Sequence, residues 1–202
     1  MRNCYYVFRD TFLAYFRAYN RLEVHGREHI PREGGLIVAA NHTSYLDPPL
    51  IGAAMTRRMT YIAKEELFGP PLLGKFVSSF SIPVSRDKPT HALIKDAVKR
   101  LCAGEAIAMF PGGERAKEGD GLAEFKKGIE LIARLSKAAI LPAYLNGPWK
   151  SLPVGAKFPR PVKITVRFGP PLVYGKDYSD TDATLRILEA IGRIKNEGGR
   201  GK

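Results

Sequence analysis

Apolar residues in this chain recur in two rhythms, and the rhythm changes along its length. In the opening segment Tyr5, Phe8, Phe12, Tyr15, Phe16 and Tyr19 follow at steps of three and four, the spacing that sets side chains on one face of a helix. Arg9, Asp10, Arg17 and Asn20 fall largely off that stripe. Residues 1–20 are therefore expected to form an amphipathic helix. Two fates suit such a helix: packing on the domain's own core, or lying in a membrane interface, where aromatic rings and nearby arginines are favoured.

From Leu22 onward, short apolar runs alternate with longer amphipathic ones. Leu22–His25, Gly35–Ala40, Thr60–Ala63, Ile82–Val84, Ala106–Phe110 and Ala138–Leu145 have strand length, and Val162–Phe168 alternates like a half-exposed strand. Between them Asp47 resembles an N-cap, with Pro48 and Pro49 suited to a first helical turn. Thr90 is placed to cap a helix that ends at Gly104, and further helices are expected over Lys126–Ser136 and Thr181–Lys195. The alternation predicts an α/β fold: a mostly parallel central sheet flanked by helices, with the N-terminal amphipathic helix ahead of it. One domain over residues 21–196 would be followed by a flexible, Gly-rich basic tail at 197–202. Sites in such folds collect beyond the carboxyl ends of strands, which directs attention to the residues after Ala40, Val84 and Phe110.

Composition narrows the partners. With 45% hydrophobic and 26% charged residues, the 202-residue chain is a globular protein with a sizeable core. Its 32 basic against 20 acidic residues give a net charge of +12, which attracts nucleic acid, anionic lipid headgroups or acidic cofactors alike. The basic residues are scattered and match no nucleic-acid-binding pattern, so no nucleic-acid partner is expected. No uncharged run of about 18 residues could span a membrane. Arg9, Asp10 and Arg17 also interrupt any signal-peptide core, so the chain is expected to stay on the side of the membrane where it is made. Cys4 and Cys102 stand far apart with no Cys/His cluster, which predicts reduced thiols and no metal site, with Cys102 in the core.

Three segments carry candidate chemistry. His42 follows a buried strand directly and Asp47 comes one tight turn later; an imidazole whose second nitrogen is held by a carboxylate can take a proton from an alcohol. Alone, the pair is equally a surface histidine and a helix cap. Phe110-Pro-Gly-Gly-Glu-Arg-Ala-Lys117 sets consecutive glycines after a strand, which lets backbone N–H groups approach an anion. In it Arg115 offers a guanidinium fork suited to phosphate. Ile82-Pro-Val-Ser-Arg86 places an arginine after another strand.

Taken together and in this order, the segments resemble the lysophosphatidic acid (1-acyl-glycerol-3-phosphate) acyltransferase family, over roughly Leu22 to Pro171. The family's Asn-His-x-Ser-x-x-Asp block is matched at Asn41, His42, Ser44 and Asp47. Its second block, an apolar stretch ending in Arg, is matched by Ile82 to Arg86. Its Phe-Pro-Glu-Gly-Thr-Arg-Ser block is matched at Phe110, Pro111, Gly113 and Arg115, with Gly112, Glu114 and Ala116 in place of Glu, Thr and Ser. The fourth block corresponds to Ile140-Leu-Pro-Ala-Tyr144, and Phe125-Lys-Lys-Gly128 is also similar to the family.

The resemblance implies that His42 is the general base and Asp47 its orienting carboxylate. Arg86, Gly112, Gly113, Glu114 and Arg115 would bind substrate. No cofactor or metal is implied; acyl-CoA or acyl carrier protein would be the donor and a lysophospholipid the acceptor, at the cytoplasmic face of a membrane held peripherally, with the helix over residues 1–20 expected to lie in the membrane interface. Gly112 stands where the family has the Glu associated with acceptor binding. Another lyso-lipid, a neutral acceptor, or an inactive lipid-binding homologue therefore remain as alternatives. The chain around His42 disfavours a metallohydrolase, since His25, His29 and His91 are poorly spaced to complete a ligand set.

Overall fold

A computed structural model describes residues 2–69, 77–78, 80–84, 91–110, 128–179 and 182–199. Helix α1 (Arg2–Asn20) leads into strand β1 (Glu23–His25), and β2 (Leu36–Ala40) leads into α2 (Asp47–Ala54). Strands β3 (Met59–Lys64) and β4 (Ser81–Val84) precede α3 (His91–Cys102), β5 (Ala106–Met109) and α4 (Gly128–Ser136). Strand β6 (Ala139–Asn146), the single-turn helix α5 (Pro148–Ser151), β7 (Thr165–Phe168) and α6 (Ala183–Gly199) complete the order.

The strands form one sheet in the order β1-β7-β6-β2-β5-β3-β4. All neighbours are parallel except β6 and β7, as the alternation of strands and helices predicts. Central strand β2 is wholly buried, which is why its sequence is continuously apolar and carries no visible alternation. Its residues nevertheless divide by pleat. Leu36, Val38 and Ala40 join the core beneath α1 and α2, whereas Ile37 and Ala39 join the core beneath α3, α4 and α6.

Part of the aromatic stripe of α1 packs on the protein itself. Tyr5 and Phe16 are buried, with Phe12 packed against the same cluster. Tyr5 accepts the Met59 N–H at 3.0 Å, and burial pushes its phenol above the ordinary tyrosine range. Tyr15 and Tyr19, at the margin of the stripe, stay partly exposed along with Tyr6 and Val7. Tyr5 sits by the first residue of β3, whereas Asn20 bonds backbone ahead of β7, so α1 crosses the sheet diagonally.

Three local expectations are corrected. Cys102 is exposed, not core: Leu93, Ala97 and Leu101 supply the buried face of α3 at a spacing of four, and the next residue turns away from it. Helix α6 continues to Gly199, so residues 197–199 are helical instead of a flexible tail; a side chain at Gly198 would press on Arg167, and glycine admits that packing. Residues 200–202 lie outside the described set, as do Thr90, Lys126 and Lys127. Asp47 begins α2 but does not cap it, for a reason given below. No helix among the described residues is long and apolar enough to cross a membrane.

The division of the stripe carries a stability prediction. Phe16→Ala should cost about 3–5 kcal/mol, the range for emptying a buried aromatic site, whereas Tyr15→Ala should cost well under half of that. Urea midpoints of the two variants test this; equal losses would contradict the packing of α1.

Candidate active site

Strands β2, β3, β4 and β5 are mutually parallel, so Ala40, Val84 and Met109 all end at one edge of the sheet. The chain leaves β2 there through Asn41-His-Thr-Ser-Tyr-Leu46. Asn41, fully buried, anchors the departure: its amide donates to Leu145 O at 3.0 Å and accepts Leu145 N–H at 2.8 Å. This two-way pairing extends the β2–β6 ladder by a side chain and fixes where the next residue emerges.

His42 Nδ1 lies 2.8 Å from Asp47 Oδ2. The same oxygen accepts the N–H groups of Thr43 at 2.6 Å and Ser44 at 2.8 Å. Asp47 therefore turns back into the loop that precedes it, and this is why its side chain does not cap α2. The carboxylate is 0% exposed and the imidazole 18%. Burying a charge is costly unless donors surround it, and here three donors converge on one oxygen. With the carboxylate ionised, chemistry assigns the proton to Nδ1, leaving Nε2 with a lone pair. Oδ1 and the neighbouring Thr43 hydroxyl are buried without hydrogen-bond partners among the described residues.

Two further residues, Phe110 and Ser44, hold the imidazole loop. The Phe110 ring stacks on His42 with centroids 4.4 Å apart and planes 27° from parallel. The register that pairs Ala39 with Met109 brings Phe110 alongside, so the stack follows from the adjacency of β2 and β5. Ser44 Oγ donates to Leu152 O at 3.0 Å and accepts Leu46 N–H at 3.2 Å. His25 and His29 lie elsewhere, beside Glu23 and Glu28 respectively.

Of the residues expected at the site, the structure brings His42 and Asp47 together. Arg86, Gly112, Gly113, Glu114 and Arg115 lie outside the described residues; the strands that precede them, β4 and β5, end at the His42 edge. Sequence reasoning gave no structural role to Asn41, Ser44 or Phe110 beyond a motif match. Their roles depend on which strands are neighbours, and no local pattern carries that information.

Comparison with known proteins bears on this geometry. A family model described as Acyltransferase matches residues 21–146. The chain belongs to this acyltransferase family. It is 33% identical over 129 residues to a 1-acyl-sn-glycerol-3-phosphate acyltransferase of Bacillus subtilis, covering 63% of this chain and 63% of that relative. The 1-acyl-sn-glycerol-3-phosphate acyltransferase of Limnanthes alba is 33% identical over 156 residues, covering 75% of this chain and 54% of the relative. The chain thus spans between 54% and 63% of the length of these relatives. The crystal structure of the 1-acyl-sn-glycerophosphate (LPA) acyltransferase PlsC of Thermotoga maritima superposes with a TM-score of 0.76 at 25% identity, over 96% of this chain and 83% of that one.

If Asp47 organises the loop, removing it should cost stability as well as chemistry. Asp47→Ala orphans two buried N–H groups at about 1–3 kcal/mol each, whereas Asp47→Asn still offers them an oxygen and should retain most of the stability. Thermal unfolding of both variants distinguishes the cases; an Asp47→Ala protein as stable as the wild type would refute the organising role.

Proposed function

We propose that this protein is an O-acyltransferase that moves a fatty acyl chain from a thioester, acyl-CoA or acyl carrier protein, to the free hydroxyl of 1-acyl-glycerol-3-phosphate. The observation that carries the reading is the imidazole held at Nδ1 by a buried carboxylate, inside a chain of the acyltransferase family. The relatives' activity, acylation of 1-acyl-sn-glycerol-3-phosphate, suggests the acceptor.

The chemistry is direct transfer. The acceptor's hydroxyl proton passes to His42 Nε2 as its oxygen bonds to the thioester carbonyl carbon. The tetrahedral intermediate collapses with cleavage of the C–S bond, and the thiolate takes the proton back from the imidazolium. Asp47 keeps the imidazole in the useful tautomer and stabilises its cation, in the general manner of a base and its orienter. No covalent acyl-enzyme and no cofactor is required. In this reading Arg86 and Arg115 bind the phosphate of the acceptor or of the donor, and the N–H groups of Gly112 and Gly113 meet the oxyanion or that phosphate. Glu114 follows them directly in the sequence and is a further candidate for substrate binding.

Such a lipid acceptor places the protein at a membrane surface, peripherally and on the cytoplasmic face. The net charge of +12 supports that placement. Gly112 supports one variation: where relatives of the resembled family carry Glu, its absence permits a different lyso-lipid or a neutral alcohol.

Purified His42→Ala should lose acyl transfer by about 10²–10⁴-fold or more with unchanged circular dichroism. Transfer at the wild-type rate would sink the assignment. Presenting a panel of lyso-lipids and a monoacylglycerol with both thioester donors decides the substrates; a clear preference for 1-acyl-glycerol-3-phosphate is the expected outcome.

A further inference from the structure

Between Glu130 and Asp177 the sequence contains no acidic residue at all. The stretch includes the connection from β6 to β7, whose position the sheet register defines. Strand β6 runs parallel to β2 and overshoots it, so Asn146 lies at the same edge as Asn41 and His42. Strand β7 runs the other way and starts opposite Asn146 at Thr165. Strand β1 starts opposite Thr165 as well, which brings the last turn of α1 to this edge. Residues 147–163 therefore form a rim around the catalytic end of the sheet.

The rim is braced from below. Gly147, at φ +99°, makes the turn into α5 where a side chain would strike Lys163 O. The ends of the loop are clasped by Arg160 N–H to Ser151 O at 2.8 Å and Ser151 Oγ to Arg160 O at 2.7 Å. The buried amide of Asn20 donates to Ser151 Oγ, Arg160 O and Val162 O at 3.0–3.1 Å, and Tyr19 donates to Pro159 O. Ser44 joins the rim to the His42 loop through Leu152 O.

Above this brace the loop exposes what a soluble surface ordinarily hides. Phe158 is 81% exposed, and Val154 and Trp149 are exposed too. Lys157 precedes Phe158, Arg160 follows by two, and the Lys150 ammonium sits 5.1 Å from the Trp149 ring. Within the catalytic loop itself Tyr45 is exposed. Lys163, at the foot of the loop, is paired with Glu23 of β1 at 2.7 Å; beyond it, apolar and aromatic tips interleaved with Lys150, Lys157 and Arg160 complement an anionic bilayer: rings enter the headgroup layer while cations meet lipid phosphates.

We propose that the 147–163 rim, with Trp149 and Phe158 as its inserting side chains, is a lipid-docking surface for anionic phospholipid that seats the His42 edge of the sheet on the bilayer. This rests on the acyltransferase reading for its purpose, since a bilayer-resident acceptor then reaches His42 without leaving the lipid. An acidic carrier protein would also answer the positive charge, but it gives no reason for a bare phenylalanine and tryptophan.

Trp149 is the only tryptophan in the chain, so its emission reports on the rim in the unmodified protein. Vesicles of phosphatidylglycerol and phosphatidylcholine, with bromine on shallow acyl carbons, should sediment the protein, shift Trp149 emission to the blue and quench it. Phe158→Asp should weaken the partitioning by about tenfold and Lys157→Glu should weaken it in a salt-dependent way, while Val7→Asp on the outer side of α1 leaves the quenching intact. Sedimented protein with unaltered Trp149 emission, no sedimentation, or an emission change with acidic carrier protein and none with vesicles would each overturn the proposal. Acyl transfer measured in detergent micelles keeps the two readings apart. Quenching without transfer discards the enzymatic reading and leaves the rim; transfer without quenching does the reverse.

Discussion

A single carboxylate oxygen, Asp47 Oδ2, holds the functional end of this molecule together. It takes a proton donor from His42, from Thr43 and from Ser44, three successive residues that would otherwise leave a strand with their donors unpaired. Fully removed from water, the carboxylate is stabilised by these donors, and it in turn helps to hold the loop in shape. The two requirements meet in one tight turn. In the proposed transfer the turn also selects the reacting atom: with Nδ1 engaged, Nε2 is the nitrogen left for the acceptor.

The rest of the fold supports that turn from several sides. Buried β2 delivers the loop, the Asn41 amide locks it to β6, Phe110 stacks on the imidazole from β5, and Ser44 reaches the β6–β7 connection. Because the ring is wedged between strand ends and not carried on a free loop, its geometry is set before any substrate arrives. Helix α1 contributes indirectly. Its stripe packs on the sheet in part while Asn20 clasps the rim beside the site, so helix and rim are tied together.

Much of this architecture was legible because buried strands and amphipathic helices leave strong periodic signals. The run from Gly35 to Ala40 predicts a buried strand and the structure has one. The ambiguous features were those with two local explanations. An aspartate followed by two prolines suits a helix start as well as a partner for His42, and nothing in the sequence says that the same carboxylate oxygen also takes the N–H groups of Thr43 and Ser44. An aromatic stripe suits a core and a bilayer equally, and only the tertiary placement of Tyr5 and Phe16 shows which face is taken. Cys102, one residue past Leu101, shows how a single step of 100° decides burial on a helix. The reversed direction of β7 and the stacking of Phe110 depend on strand order, which is a long-range property. Arg86 and residues 112–115 rest on the motif alone.

The central claim is that His42 and Asp47 act as one catalytic unit, with the carboxylate working through the imidazole. A double-mutant cycle on kcat/KM for acyl transfer, using His42→Ala, Asp47→Asn and the combined variant, measures that coupling directly. If the pair is one unit, the double variant is no slower than His42→Ala, because the carboxylate has nothing left to orient. Losses that multiply in the double variant would show two independent contributions and contradict the account.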